Sequence, residues 1–123
     1  MDATAPADEL RDAAEKLRSL AAAATPGPWE GVVDDHGRKG VDASVWADSI
    51  GYYVTEKISS GERHTADAAY IAAMHPGVGL ALAKWLDRTA EAVEQANEET
   101  LYTVADLAVE AIELAREING TAR

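Results

Sequence analysis

At 123 residues, with 22 acidic against 11 basic side chains and a formal charge of −11, the chain suits one small core and is too acidic to hold nucleic acid through a broad basic surface. It has no cysteine, which excludes disulfides, thiolate catalysis and cysteine-ligated zinc or iron–sulfur centres. Its hydrophobic fraction of 47% overstates the core, because 26 of those residues are alanine and none is phenylalanine.

Burial therefore leans on nine leucines, nine valines, five isoleucines, three tryptophans and four tyrosines. A core so poor in large side chains favours close helix packing, and favours oligomerisation as a further way to remove surface from water. No apolar run reaches the ~18 residues of a membrane span. The first residues lack the basic-then-apolar order of a signal peptide, so the expectation is a soluble cytoplasmic protein.

In chain order, Leu10, Ala13, Ala14, Leu17, Leu20, Ala21 and Ala24 recur at helical spacing and predict an amphipathic helix from near Pro6 to Ala24. Proline suits its first turn, and Thr25-Pro26-Gly27-Pro28 stops it. From Trp29 to Ile58, apolar clusters at Val32-Val33, at Val41, Val45 and Trp46, and at Tyr52, Tyr53, Val54 and Ile58 alternate with turn-rich breaks at 34–40 and 48–51. That pattern predicts a three-stranded antiparallel meander. Ser59-Ser60-Gly61-Glu62-Arg63 reads as a loop. A second helix begins at His64 or Thr65 and runs to about Met74, where His75-Pro76-Gly77 interrupts it. Pro76 fits the first position of a new helix, with His75 or a neighbour as its cap.

Between Gly79 and Asn119 there is no glycine or proline, and a stripe steps by three and four through Leu82, Trp85/Leu86, Thr89, Val93, Ala96, Thr100, Val104, Leu107, Ala111, Leu114 and Ile118. One continuous helix of about 40 residues is slightly preferred; it would be ~60 Å long, and its far end would need a partner, as in a coiled coil. The stripe weakens at Thr89, Ala96, Asn97 and Thr100, and a break there would give an antiparallel hairpin folding back on the sheet. Gly120 ends the helix in either case. The expected fold class is α+β: an N-terminal helix, a small three-stranded antiparallel sheet, a helix, and a long C-terminal helix. Within one domain, residues 1–88 form the core and 89–119 a helical extension that serves oligomerisation.

Two short stretches carry more identity than the rest. Ala24-Thr25-Pro26-Gly27-Pro28-Trp29-Glu30 is a rigid turn delivering a tryptophan into a strand. Ala66-Asp67-Ala68-Ala69-Tyr70-Ile71-Ala72-Ala73 opens a helix with an aromatic–aliphatic pair on one face. In this order they resemble the Ead-like family of small phage and prophage accessory proteins. Its members carry a TPGPW turn, a small sheet and a helix reading Asn/Asp-Ala-x-Phe/Tyr-Ile-Ala. The resemblance covers roughly residues 20–86. It implies a phage or prophage setting, hence the cytoplasm of a bacterial host, and it brings no established chemistry.

Residues that bear on chemistry gather between 29 and 75: His36, His64 and His75, the cations Arg38, Lys39, Lys57 and Arg63, and the rings of Trp29, Trp46, Tyr52, Tyr53 and Tyr70. Guanidinium groups pair with phosphate oxygens, rings stack on bases, and the start of the 65–74 helix offers free N–H groups beside Arg63 and His64. These residues predict a site for a phosphate-bearing nucleotide built from Arg63, His64, Asp67, Tyr70, Arg38, Lys39, Trp46 and Tyr52. The plainer alternative is an ordinary exposed loop, with Asp67 complementing the helix dipole. The resemblance puts its Asn/Asp at Asp67, which makes a ligand-facing or sheet-bridging hydrogen bond the other role. Trp29 is expected in the core, with a partner for its N–H. The histidines lack metal-ligand spacing, and no phosphate loop, nucleophile elbow or acid/base pair is present. The expectation is no enzyme, no cofactor and no metal.

From residue 89 onward there are eight acidic and two basic residues, with Glu91, Glu94, Glu98, Asp106, Glu110, Glu113 and Glu117 forming a ridge. Such a ridge either keeps a helix soluble or mimics the charge of DNA before a basic host protein. The functional expectation is an accessory binding protein with a counter-defence role, sequestering a nucleotide signal. The alternative is an acidic, DNA-mimic-like inhibitor of a host protein. A homo-oligomer is expected in both, with no direct nucleic-acid or membrane partner.

Overall fold

A computed structural model describes residues 5–35, 41–55 and 64–120. They form α1 (Ala5–Ala23), β1 (Trp29–Asp35), β2 (Val41–Ala47), β3 (Tyr52–Thr55), α2 (His64–Ala73), α3 (Pro76–Gln95) and α4 (Leu101–Asn119). The fold is α+β, with the expected element order and the expected antiparallel meander β1-β2-β3. Two compact units are present: α1 as far as Leu20 with α3 from Leu80 and α4, and the contiguous stretch Ala21–Gly79.

The helical unit packs Ala7, Leu10, Ala13 and Ala14 of α1 against Ala83, Leu86 and Ala90 of α3 and Ala111 and Ala115 of α4. Leu17, Val93, Ile112, Leu114 and Ile118 close around them. Leu10 and Leu86 are its large, fully buried side chains, so alanine does set the character of this core. Charged ties add direction. Arg11 of α1 pairs with Glu94 of α3, Arg18 with Asp87 at 2.5 Å, and Arg116 of α4 with Glu9 at 2.9 Å. The hydrogen bond from Arg11 to Glu94 holds its guanidinium above the usual arginine value, as the bond to Asp87 does for Arg18. Lys16 donates to the Ile118 carbonyl and Asn119 to that of Glu9, so α1 and the end of α4 share polar as well as apolar contacts.

The long continuous helix is corrected: the chain breaks at 96–100. Asn97 causes the break. Its side-chain carbonyl accepts from the N–H groups of Glu99 and Thr100, both at 3.0 Å, while Thr100 Oγ1 accepts from the Asn97 N–H at 3.0 Å. These reciprocal bonds close a turn over 97–100 immediately before α4, whose own N-cap residue, Thr100, makes no side-chain cap bond. Ala90, Ala111 and Ala115 are buried with α1, so both sides of the break contribute to one core. Gly120 closes α4 at φ 74°, its N–H directed to the carbonyls of Arg116 and Glu117.

In the other unit, α2 lies on the sheet. Ala68 and Ala72 are buried against Ala43 and Val45, flanked by Trp29, Val54 and Ile71. The register pairs Trp29 with Ala47 and Gly31 with Val45, so these residues share the face that α2 covers. Gly31 permits the close approach: a Cβ there would meet the backbone of Ala68 and Ala69 at 3.3 Å. A register shift between Val45 and Trp46 lets β3 follow the twist of β2. Ile58 and most of the first β-turn and the 59–63 loop, as read from sequence, lie outside the described residues.

Candidate functional site

The TPGPW turn is built as a structural lock. Trp29 Nε1 donates to the Thr25 carbonyl at 3.0 Å, so the turn supplies the partner its own tryptophan needs. Ser49 Oγ donates to the Pro26 carbonyl at 2.8 Å, tying the turn to the β2–β3 connection. The Gly27–Pro28 bond is cis. The His75 ring lies against Gly27 and Gly77, and its Nδ1 accepts from the Gly77 N–H at 3.1 Å. His75 is thus the N-cap of α3, as the sequence predicts, with Pro76 as first residue. A Cβ on Gly27 would fall 2.5 Å from Nδ1, which explains glycine inside this turn.

Of the residues expected around a nucleotide, Trp46, Tyr52, His64, Asp67 and Tyr70 fall among the described ones. Arg38, Lys39 and Arg63 lie outside the described residues, as do His36 and Lys57. His64 is the first residue of α2 and Asp67 is an exposed member of its first turn. Tyr70 is 72% exposed, one turn beyond Asp67 on the outer side of α2. Ile71 packs toward the sheet instead, so the expected aromatic–aliphatic pair on one face is split. Trp46 alternates with Val45 and Ala47, which face α2, and therefore points to the opposite side of the sheet. There its ring meets Tyr53 edge-on at 5.1 Å and its N–H donates to Asp48 at 2.7 Å. Tyr52, 62% exposed, stands edge-on to Tyr53 at 6.2 Å. Trp46 and Tyr53 thus share the side of the sheet turned away from α2.

A different feature lies in the helical unit. Trp85, Arg88, Thr89 and Ala92 of α3 and Val104, Leu107 and Ala108 of α4 line an open groove of about 340 Å³. Leu107 is 74% exposed although it belongs to the apolar stripe. Trp85, Thr89, Val104 and Leu107 are legible in that stripe; Arg88 carries no sequence signal beyond its spacing from Trp85.

On another side of α4, Tyr102, Asp106, Val109 and Glu113 follow one another at steps of four, three and four, and all are exposed. Tyr102 reaches 85% exposure. Glu110 and Glu117 flank the strip, and Arg116, the basic residue of this helix, is already engaged by Glu9. Among the described residues no trio of histidine, aspartate and glutamate is placed to hold a metal ion. No described helix is long and apolar enough to cross a membrane. Comparison with family models, with curated proteins and with solved structures gave no match.

Proposed function

We propose that this chain is a non-enzymatic phage accessory protein that binds a basic surface of a host protein through the outer strip of α4. The observation that carries this reading is Tyr102, an aromatic ring left 85% exposed one turn before Asp106. A ring in that position adds little to the fold, whereas tyrosines among polar neighbours are characteristic anchors of protein interfaces. Asp106, Glu113 and Glu117 supply the charge, and none has an ion-pair partner among the described residues. Carboxylates arrayed along a helix steer and orient a basic partner, while the ring and Val109 supply apolar contact. The host as source of that partner rests on the Ead-like resemblance of the turn and α2.

The test is photo-cross-linking in bacterial host cells, from a photoreactive amino acid placed at position 102 and, as a control, at position 70. A discrete adduct with a basic protein from position 102, lost in Asp106→Lys/Glu113→Lys, is the expected result. Equal background from both positions, or an adduct indifferent to charge reversal, removes the reading. A nucleotide co-purifying in stoichiometric amount, and lost in Arg63→Ala, would put the sequestration reading in its place.

A further inference from the structure

We infer that the α3–α4 groove is filled by the same groove of a second copy, in a two-fold dimer that sets Arg88 of each copy against Glu110 of the other. The inference uses a different side of α4 from the Tyr102 strip and stands apart from the proposed host contact.

Three observations meet in the groove. First, apolar surface is left over. Leu10 and Leu86 are the large side chains fully buried in the helical unit, while Leu107 and Trp85 line the groove in contact with solvent. Second, one arginine is unspent. Of the described arginines in this unit, Arg11, Arg18 and Arg116 each hold a carboxylate, and Arg88, in the groove wall, holds none among the described residues. Third, the two banks differ in sign. Lys84 stands one turn before Arg88 on α3, and Glu110 one turn after Leu107 on α4, without an ion pair among the described residues.

A two-fold axis through the groove lays α3 of one copy over α4 of the other. Unlike banks then face each other, and every contact occurs twice. An unrelated helix would have to supply both charges on opposite edges; a second copy already carries them. Two helices about 30 Å long and about 10 Å apart present roughly 600 Å² of footprint per copy, near the lower end of specific dimer interfaces. The result would be a four-helix arrangement with Leu107 and Trp85 at its centre.

Sedimentation velocity and native mass spectrometry on the full chain test this at about 10–100 µM. The parent protein is expected as a dimer and Leu107→Asp as a monomer with unchanged helical circular dichroism. Arg88→Glu and Glu110→Arg each place like charges together twice and should weaken the dimer by ~100-fold or more. Mixed together, those two variants restore both opposite-charge pairs, so a heterodimer should form in excess over either homodimer. Tyr102→Asp should leave the dimer intact. A parent protein monomeric at 100 µM, a dimer indifferent to Leu107→Asp and Arg88→Glu, or a mixture without heterodimer would overturn the assignment.

Discussion

His75 shows how much a single ring can organise. It caps α3 through Nδ1 and occupies the space that the Gly27 backbone leaves open. These two tasks separate in a mutant cycle. Gly27→Ala should cost about 1–3 kcal/mol, because the new methyl meets Nδ1 and the turn must shift. His75→Ala should cost about 1 kcal/mol through the lost cap. The double variant should cost less than the sum, since removing the ring admits the methyl. Urea denaturation of the four proteins measures this; strict additivity would separate Gly27 from the ring. The same residues define the role of the TPGPW turn. Trp29, Thr25, Pro26 and Ser49 are consumed by contacts to one another, which leaves them as scaffold.

Among the elements, α4 owes its independence from α3 to Asn97. Asn97→Ala removes acceptors for two N–H groups and should lower stability by about 1 kcal/mol, read as a drop in melting temperature. An unchanged melting temperature would mean the break is fixed by the packing of Ala111 and Ala115 alone. The order of elements, the meander, the start of α2 and the cap of α3 were legible because each rests on local chemistry: alternation, proline, glycine and a side chain near its own backbone. Asn97 and Thr100 were visible as a weak point in the stripe. Their reciprocal bonds were not, because a helix of three-and-four spacing looks the same whether it continues or restarts. The site was less legible still. Trp46 and Tyr70 sit close in the list of aromatic residues, yet strand alternation and helix rotation turn them to different surfaces. Which side of an aromatic residue faces water is decided by what packs behind it, and that is a tertiary fact.

At the scale of the whole molecule, stability rests on few large groups. Leu86→Ala should cost about 2–5 kcal/mol, a large share of the 5–15 kcal/mol typical of small domains, and should raise amide exchange across α1, α3 and α4. Protection unchanged in those helices would show that the alanine contacts suffice. The helical unit is also discontinuous, with Ala21–Gly79 lying between its first helix and the other two. On the ribosome this has a consequence in time. Leu10 is made roughly 75 residues before Leu86 and 100 before Ala111, a wait of about 4–20 s at ordinary synthesis rates. The intervening unit is contiguous and can fold during that interval, while α1 waits with no partner for its apolar side. Alanine is the strongest helix former and exposes little greasy surface. The small side chains that leave the finished core thin therefore give the nascent helix little apolar surface to offer other unfinished chains.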